Sequence, residues 1–217
     1  MADKRLRWGV MSTARIGEKA VNPAIRASAN GELVAIASRN EERAHAFAQE
    51  AGIPVSYGSY RALLEDDGID AVYIPLPNRL HKEWTLRAVE LGKHVLCEKP
   101  LGLNASECRE MEAAADANGV KLMEAFMYRF HPRTERVLEL IRDGALGELK
   151  QIRSSFTFPL DRPEDIRWDP KLGGGALMDV GCYCVNVSRS LADAEPVQVR
   201  ALANFRSSGV DEQMAGT

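Results

Sequence analysis

The first 126 residues alternate short apolar runs with longer stretches in which apolar side chains recur at helical spacing. Residues 6–11 read as a strand, 16–28 as a helix, 33–38 as a strand, and 41–51 as a helix stopped by Gly52 and Pro54. The order then repeats, with strands at 55–57, 71–75 and 94–97 and helices at 59–65 and 80–91. Asn104 is a suitable N-cap for a helix to Asn118, Gly119 ends it, and 121–126 forms one more strand. Each connection is too long for a hairpin, so the strands pair in parallel under helices on both faces. The expectation is a doubly wound α/β domain over residues 1–126.

Beyond it the rhythm changes. A helix is expected at 132–142, a strand at 149–158, a Pro-rich charged loop, a run of three glycines, a helix at 176–191 and a strand at 197–205. A turn at Ser208 and Gly209 precedes a further strand beginning at 213–217. Residues 127–217 therefore read as an α+β open-sheet domain with exposed edges, expected to be C-terminally incomplete.

Composition narrows the function classes. With 45% hydrophobic and 27% charged residues the chain is that of an ordinary globular protein. A formal charge of -3 leaves no excess of Lys or Arg to neutralise a phosphate backbone, which argues against nucleic-acid binding. No apolar run approaches the roughly 18 residues of a membrane span, and the charged start, Met1 to Arg7, is not a signal segment, so a cytoplasmic protein is expected. Cys97, Cys108, Cys182 and Cys184 lack CxxC spacing and read as reduced thiols. His45, His81, His94 and His131 show no metal-ligand spacing, and no metal is expected.

In a doubly wound sheet a pyrophosphate binds where the first strand meets the first helix, because small residues there allow close backbone approach to a helix N-terminus. The segment Gly9-Val10-Met11-Ser12-Thr13-Ala14-Arg15-Ile16-Gly17 occupies that place. Its fingerprint is degenerate: Ser12 and Ala14 stand where the first two glycines of GxGxxG would be, and only Gly17 matches the third. At the end of the second strand an acidic residue would select NAD; here the chain reads Ser38-Arg39-Asn40 with Arg43 one turn later. A hydroxyl and two guanidinium groups suit a 2′-phosphate, so NADP is expected over NAD, the plainer reading being that both arginines are solvated surface charges.

Two further stretches carry candidate chemistry. Cys97-Glu98-Lys99-Pro100 puts a charged pair and a proline directly after an apolar strand. Gly173-Gly174-Gly175 opens a helix on which Asp179 and Tyr183 stand four apart, on one face, and the glycines would let that helix start close to a ligand. Oxidation of a hydroxyl needs a group that takes its proton while hydride leaves. Tyr183 is the candidate, its phenol ordinarily titrating at about 10 but favoured as phenolate beside the Lys99 ammonium. Lys99 could take that role itself, and residue types alone do not separate the two. Asp179 would orient the substrate or Lys99. The duller readings are that Tyr183 packs in a core and that Asp179 is a helix-surface carboxylate.

At these residues, and at Arg7-Trp8-Gly9-Val10 and Pro77-Asn78-Arg79-Leu80-His81, the chain resembles the glucose-fructose oxidoreductase, inositol dehydrogenase and rhizopine-catabolism family. Tyr rather than His at 183 places the resemblance in the branch with dihydrodiol dehydrogenases and NADP-dependent D-xylose 1-dehydrogenases. It implies a Rossmann domain followed by an open-faced sheet domain, with the active site between them. The implied activity is NADP-dependent hydride transfer with a sugar or cyclic diol, at an aldose C1 or a trans-dihydrodiol. The alternatives are a nucleotide-ketosugar reductase and a non-catalytic NADP-binding regulator. The candidate cofactor contacts are Ser12, Thr13, Ala14, Arg15, Ile16, Ser38, Arg39, Arg43, Asn78, His81, Glu98 and Lys99, His81 reading otherwise as a helix-surface residue; Arg167 and Trp168, just before the glycines, reach the cofactor or substrate or else are exposed loop residues. Asn78 and His81 would approach the nicotinamide end and Glu98 its ribose, the bond before Pro100 would be cis, and the full-length protein would be a homo-oligomer.

Overall fold

The structure, a computed structural model, describes residues 5–217, so part of the charged start lies outside the described residues. The chain divides into two compact units, Met1–Ala125 and Phe126–Thr217.

The first unit is built on β1 (Leu6–Val10), β2 (Gly31–Ala37), β3 (Val55–Tyr57), β4 (Ala71–Ile74), β5 (His94–Cys97) and β6 (Leu122–Glu124). All pair in parallel, in the spatial order β3-β2-β1-β4-β5-β6. This order reverses between β1 and β4, so the carboxyl ends of those two strands form the crevice in which such sheets bind ligands. At the opposite end Arg7 grips Asp70 with two guanidinium nitrogens, Nε to Oδ2 at 2.9 Å and Nη2 to Oδ1 at 2.7 Å, and so locks β1 to β4.

The helices are α1 (Asn22–Ala27), α2 (Glu41–Ala51), α3 (Tyr60–Leu64), α4 (His81–Glu90) and α5 (Ala105–Ala117). Their ends follow local chemistry. Asn40, Ser59 and Asn104 each accept a backbone N–H three residues on, and Gly52 adopts a left-handed conformation that stops α2. Two cores result. One gathers Leu63, Val72, Ile74, Val89 and Val95 on one face of the sheet; the other gathers Val10, Ile25, Leu33, Ile36 and Tyr73. Gly9 serves the first of these, since a Cβ there would press on Leu63 and Ile69.

The expected continuous helix over 16–28 is interrupted. Gly17–Val21 forms a π-helical turn before α1. Pro23 has no N–H to give to the carbonyl four residues earlier and its ring would clash there, so the backbone widens instead.

The second unit holds α6 (Pro132–Arg142), α7 (Cys182–Ala192) and an antiparallel hairpin of β7 (Ala201–Phe205) and β8 (Asp211–Gly216), closed by a turn with Gly209 at φ +88°. Here the sequence expectations need correction. Residues 149–158 form no strand, because a strand exists by backbone pairing and no described strand pairs with them. The helix expected at 176–191 begins as a π-helical turn, Leu177–Gly181, before α7. The strand expected over 197–205 shortens to β7, leaving Val197 and Val199 exposed.

Candidate active site

The candidate residues fall into two groups, one in each unit. In the first, Ser12, Thr13 and Ala14 leave the carboxyl end of β1 as a half-buried loop, Gly17 is buried behind them, and Arg15 and Ile16 are exposed at the helix start. Small side chains here leave the backbone open to a phosphate, the requirement the fingerprint encodes. At the end of β2, Ser38 is buried and its Oγ accepts the Asn40 N–H at 3.3 Å, while Arg39 and Arg43 are exposed. The Tyr60 phenol titrates above its ordinary value through burial, an effect reduced by the adjacent Arg39 charge and, less, by Arg43. The end of β2 thus presents two exposed guanidinium groups, with Glu41 and Glu42 between them in the chain.

The segment after β5 is the most constrained part of this unit. The Lys99-Pro100 bond is cis. Glu98 Oε1 accepts the Tyr73 hydroxyl at 2.7 Å and its Oε2 accepts the Lys99 N–H at 3.2 Å. The Leu101 N–H donates to Glu124 Oε1 and that of Leu103 to Glu107 Oε2, both at 2.8 Å. Lys99 and Asn78 are both half-buried, each at the carboxyl end of a strand. Neighbouring Cys97 is fully buried, which pushes its thiol well above the ordinary range and makes it inert.

His81, expected at the nicotinamide end, is placed differently. It has no accessible surface, and its Nδ1 and Nε2 lie 2.8 Å from the carbonyl oxygens of Pro100 and Leu76. Burial lowers its pKa, although both carbonyls would welcome an N–H. The neutral imidazole carries one N–H and donates to one of these two carbonyls, and its ring has no surface open to a ligand in this structure.

In the second unit Asp179 is not an idle surface carboxylate. Its Oδ2 accepts from Arg167 Nε at 2.6 Å, and Arg167 Nη1 also reaches Asp165 Oδ1 at 3.1 Å. Burial works against the Asp165 carboxylate, but the backbone N–H and guanidinium of Arg167 outweigh it and hold its pKa low. The Trp168 ring carries the Arg206 guanidinium at 4.2 Å, and its buried Nε1–H has no acceptor among the described residues. Tyr183 stands in an aromatic nest, edge-on to Phe126 at 5.1 Å and tilted against Phe156 at 5.4 Å, with its hydroxyl 3.6 Å from Met127 Sδ.

The glycine run answers to the protein's own backbone. A Cβ on Gly174 would overlap the Arg167 carbonyl, and one on Gly175 would overlap the Asp211 carboxylate, which accepts the Leu177 N–H at 2.6 Å and caps the helix start. Sequence reading missed Tyr73, Glu124, Asp165 and Asp211. Only Tyr73 carried a signal, a phenol within the otherwise aliphatic buried run Ala71-Val72-Tyr73-Ile74.

Comparison with known proteins agrees with this architecture. Residues 6–126 match the model of an oxidoreductase family with an NAD-binding Rossmann fold, and residues 134–217 match the GFO/IDH/MocA C-terminal domain. The chain belongs to the GFO/IDH/MocA oxidoreductase family. It is 50% identical over 212 residues to a D-xylose 1-dehydrogenase (NADP(+)) of Haloferax volcanii, covering 97% of this chain and 65% of that protein. It is 39% identical over 212 residues to a trans-1,2-dihydrobenzene-1,2-diol dehydrogenase of Xenopus laevis, covering 96% of this chain and 64% of that one. Among solved structures, a 3-ketoreductase from Actinomadura kijaniata in complex with NADP and TDP-benzene superposes with a TM-score of 0.89 at 36% identity, covering 97% of this chain and 65% of that one. The chain thus spans about two thirds of the length of these GFO/IDH/MocA relatives. Among the described residues no helix is long and apolar enough to cross a membrane.

Proposed function

We propose that the protein is an NADP-dependent oxidoreductase transferring hydride between nicotinamide and a sugar or cyclic diol, of the aldose 1-dehydrogenase or trans-dihydrodiol dehydrogenase type. The observation that carries the cofactor choice is the end of β2, where Arg39 and Arg43 stand exposed and residues 38–40 hold no acidic side chain. The relatives named for NADP(+)-linked D-xylose and dihydrodiol oxidation support the substrate class.

In this reading Ser12, Thr13 and Ala14 give backbone access to the pyrophosphate, and Ser38, Arg39 and Arg43 hold the 2′-phosphate. Glu98 and Asn78 face the second nucleotide, and Trp168 supplies its unpaired indole N–H to cofactor or substrate. The nicotinamide, when bound, accepts the hydride that leaves the substrate carbon. Tyr183, as phenolate beside the Lys99 ammonium, takes the hydroxyl proton while that ammonium stabilises the oxyanion that develops; alternatively Lys99, as the free amine, takes the proton itself. Asp179, held by Arg167, orients the substrate hydroxyls.

The test is the initial rate of reduced-cofactor formation from NADP and from NAD with D-xylose, D-glucose and a trans-dihydrodiol, beside Tyr183→Phe. An NADP-dependent rate abolished by the phenol deletion supports the reading. A second reading, ketosugar reduction, is favoured by the likeness to the 3-ketoreductase. Silence with all three substrates alongside turnover of a nucleotide-linked ketosugar would decide for it.

A further inference from the structure

Tyr73 occupies the point at which the strand order reverses. Its backbone pairs with Val10 at the end of β1, and the Met11 N–H donates to its carbonyl at 3.0 Å. The side chain has no accessible surface and packs with Val10, Ile25 and Ile36. Its Cε1 lies 3.7 Å from where a Cβ on Gly17 would stand, so the ring runs beneath the helix start that follows the Ser12–Ala14 loop. From there the hydroxyl donates to Glu98 Oε1. One side chain thereby joins the floor of the first mononucleotide half of the crevice to the carboxylate that opens the second.

A phenylalanine would fill this apolar space equally well, whereas a phenol must be partnered to be tolerated in it. A carboxylate offers roughly four acceptor sites, two on each oxygen. Tyr73 uses one on Oε1 and the Lys99 N–H uses one on Oε2, and among the described residues no other donor is hydrogen-bonded to either. One acceptor site per oxygen is left, both on a carboxylate that cannot rotate without breaking its bond to Tyr73. That arrangement suits the two adjacent hydroxyls of a ribose.

Resting on the dinucleotide reading above, we propose that Tyr73 is a positioning residue. It fixes Glu98 to receive the vicinal hydroxyls of the second ribose of the cofactor, and itself touches no ligand.

The experiment titrates the 217-residue chain with NADPH and with adenosine 2′,5′-bisphosphate, which keeps the adenine and 2′-phosphate but has no second ribose. Wild type, Tyr73→Phe, Glu98→Gln and the double variant are compared. Tyr73→Phe is expected to weaken NADPH about tenfold, as loss of a hydrogen bond to a charged group does. Its affinity for the bisphosphate stays within about twofold of wild type, and the double variant is no weaker for NADPH than Glu98→Gln alone. Equal weakening of both probes would show that Tyr73 merely supports the sheet and would overturn the proposal. So would an unchanged NADPH affinity, or additive losses in the double variant. A wild-type protein that binds neither probe would instead remove the dinucleotide reading, and this proposal with it.

Discussion

Arg167 holds Asp179 directly, Nε to Oδ2 at 2.6 Å, and is itself held from the other side by Asp165. The side chains of both carboxylates are largely buried, Asp179 being 15% exposed and Asp165 8%, while that of Arg167 is 38% exposed. Arg167→Leu removes the cation that Asp165 and Asp179 share, while Arg162 still pairs with Asp165 at 3.1 Å. The expected cost lies between that of a surface pair and that of a buried one, roughly 1–3 kcal/mol, read as a lower denaturation midpoint. Arg167→Lys restores one of the contacts and recovers part of the loss. A midpoint unchanged in Arg167→Leu would show that the pair contributes nothing.

His81 makes stability depend on pH in one direction. Burial places its folded pKa below the ordinary 6.5. Below about pH 6.5 the unfolded chain therefore takes up a proton that the folded protein refuses, and stability falls as pH drops toward the folded value; above 6.5 it is unaffected. Asp66, held low by the Tyr57 hydroxyl, and Asp165 act separately, their contribution fading only as pH falls below about 4. Thermal midpoints at about pH 8 and about pH 5.5 should differ in the wild type and differ less in His81→Gln. Equal slopes in the two proteins would contradict this account.

The glycine run separates steric from conformational need. Gly174 would strike the Arg167 carbonyl with a Cβ, whereas Gly209 meets nothing within 4 Å but sits at φ +88°. Gly174→Ala is expected to lose about 2 kcal/mol or more because backbone must move. For Gly209→Ala the loss is about 1 kcal/mol of backbone strain. Urea midpoints of the two variants rank them, and the reverse order would refute the packing argument.

In the proposed reading Arg39 and Arg43 carry the cofactor preference. Replacing both by Ala should weaken NADPH at least about tenfold, since charge-assisted bonds to the phosphate are lost, and leave NADH affinity nearly unchanged. Energy transfer from tryptophan to bound reduced nicotinamide reads both affinities. Equal losses for the two cofactors would place the arginines in the scaffold instead.

The sequence by itself determined the α/β order of the first unit. Its central strand β4 is an apolar run buried on both faces, and α2, α3 and α5 carry their own caps, Asn40, Ser59 and Asn104, so local signals and tertiary packing agree there. The positive end of β2 and the Glu98-Lys99-Pro100 segment were legible for the same reason, as polar residues where an apolar strand stops. What only the tertiary structure decided are the pairings made across long separations. Tyr73 meets Glu98, His81 meets Pro100, and Arg167 meets Asp179. No periodicity encodes a side chain's partner when that partner comes from another element. The loss of an expected strand at 149–158 has the same origin, because an extended segment becomes a strand only where a neighbouring backbone offers its N–H and C=O groups.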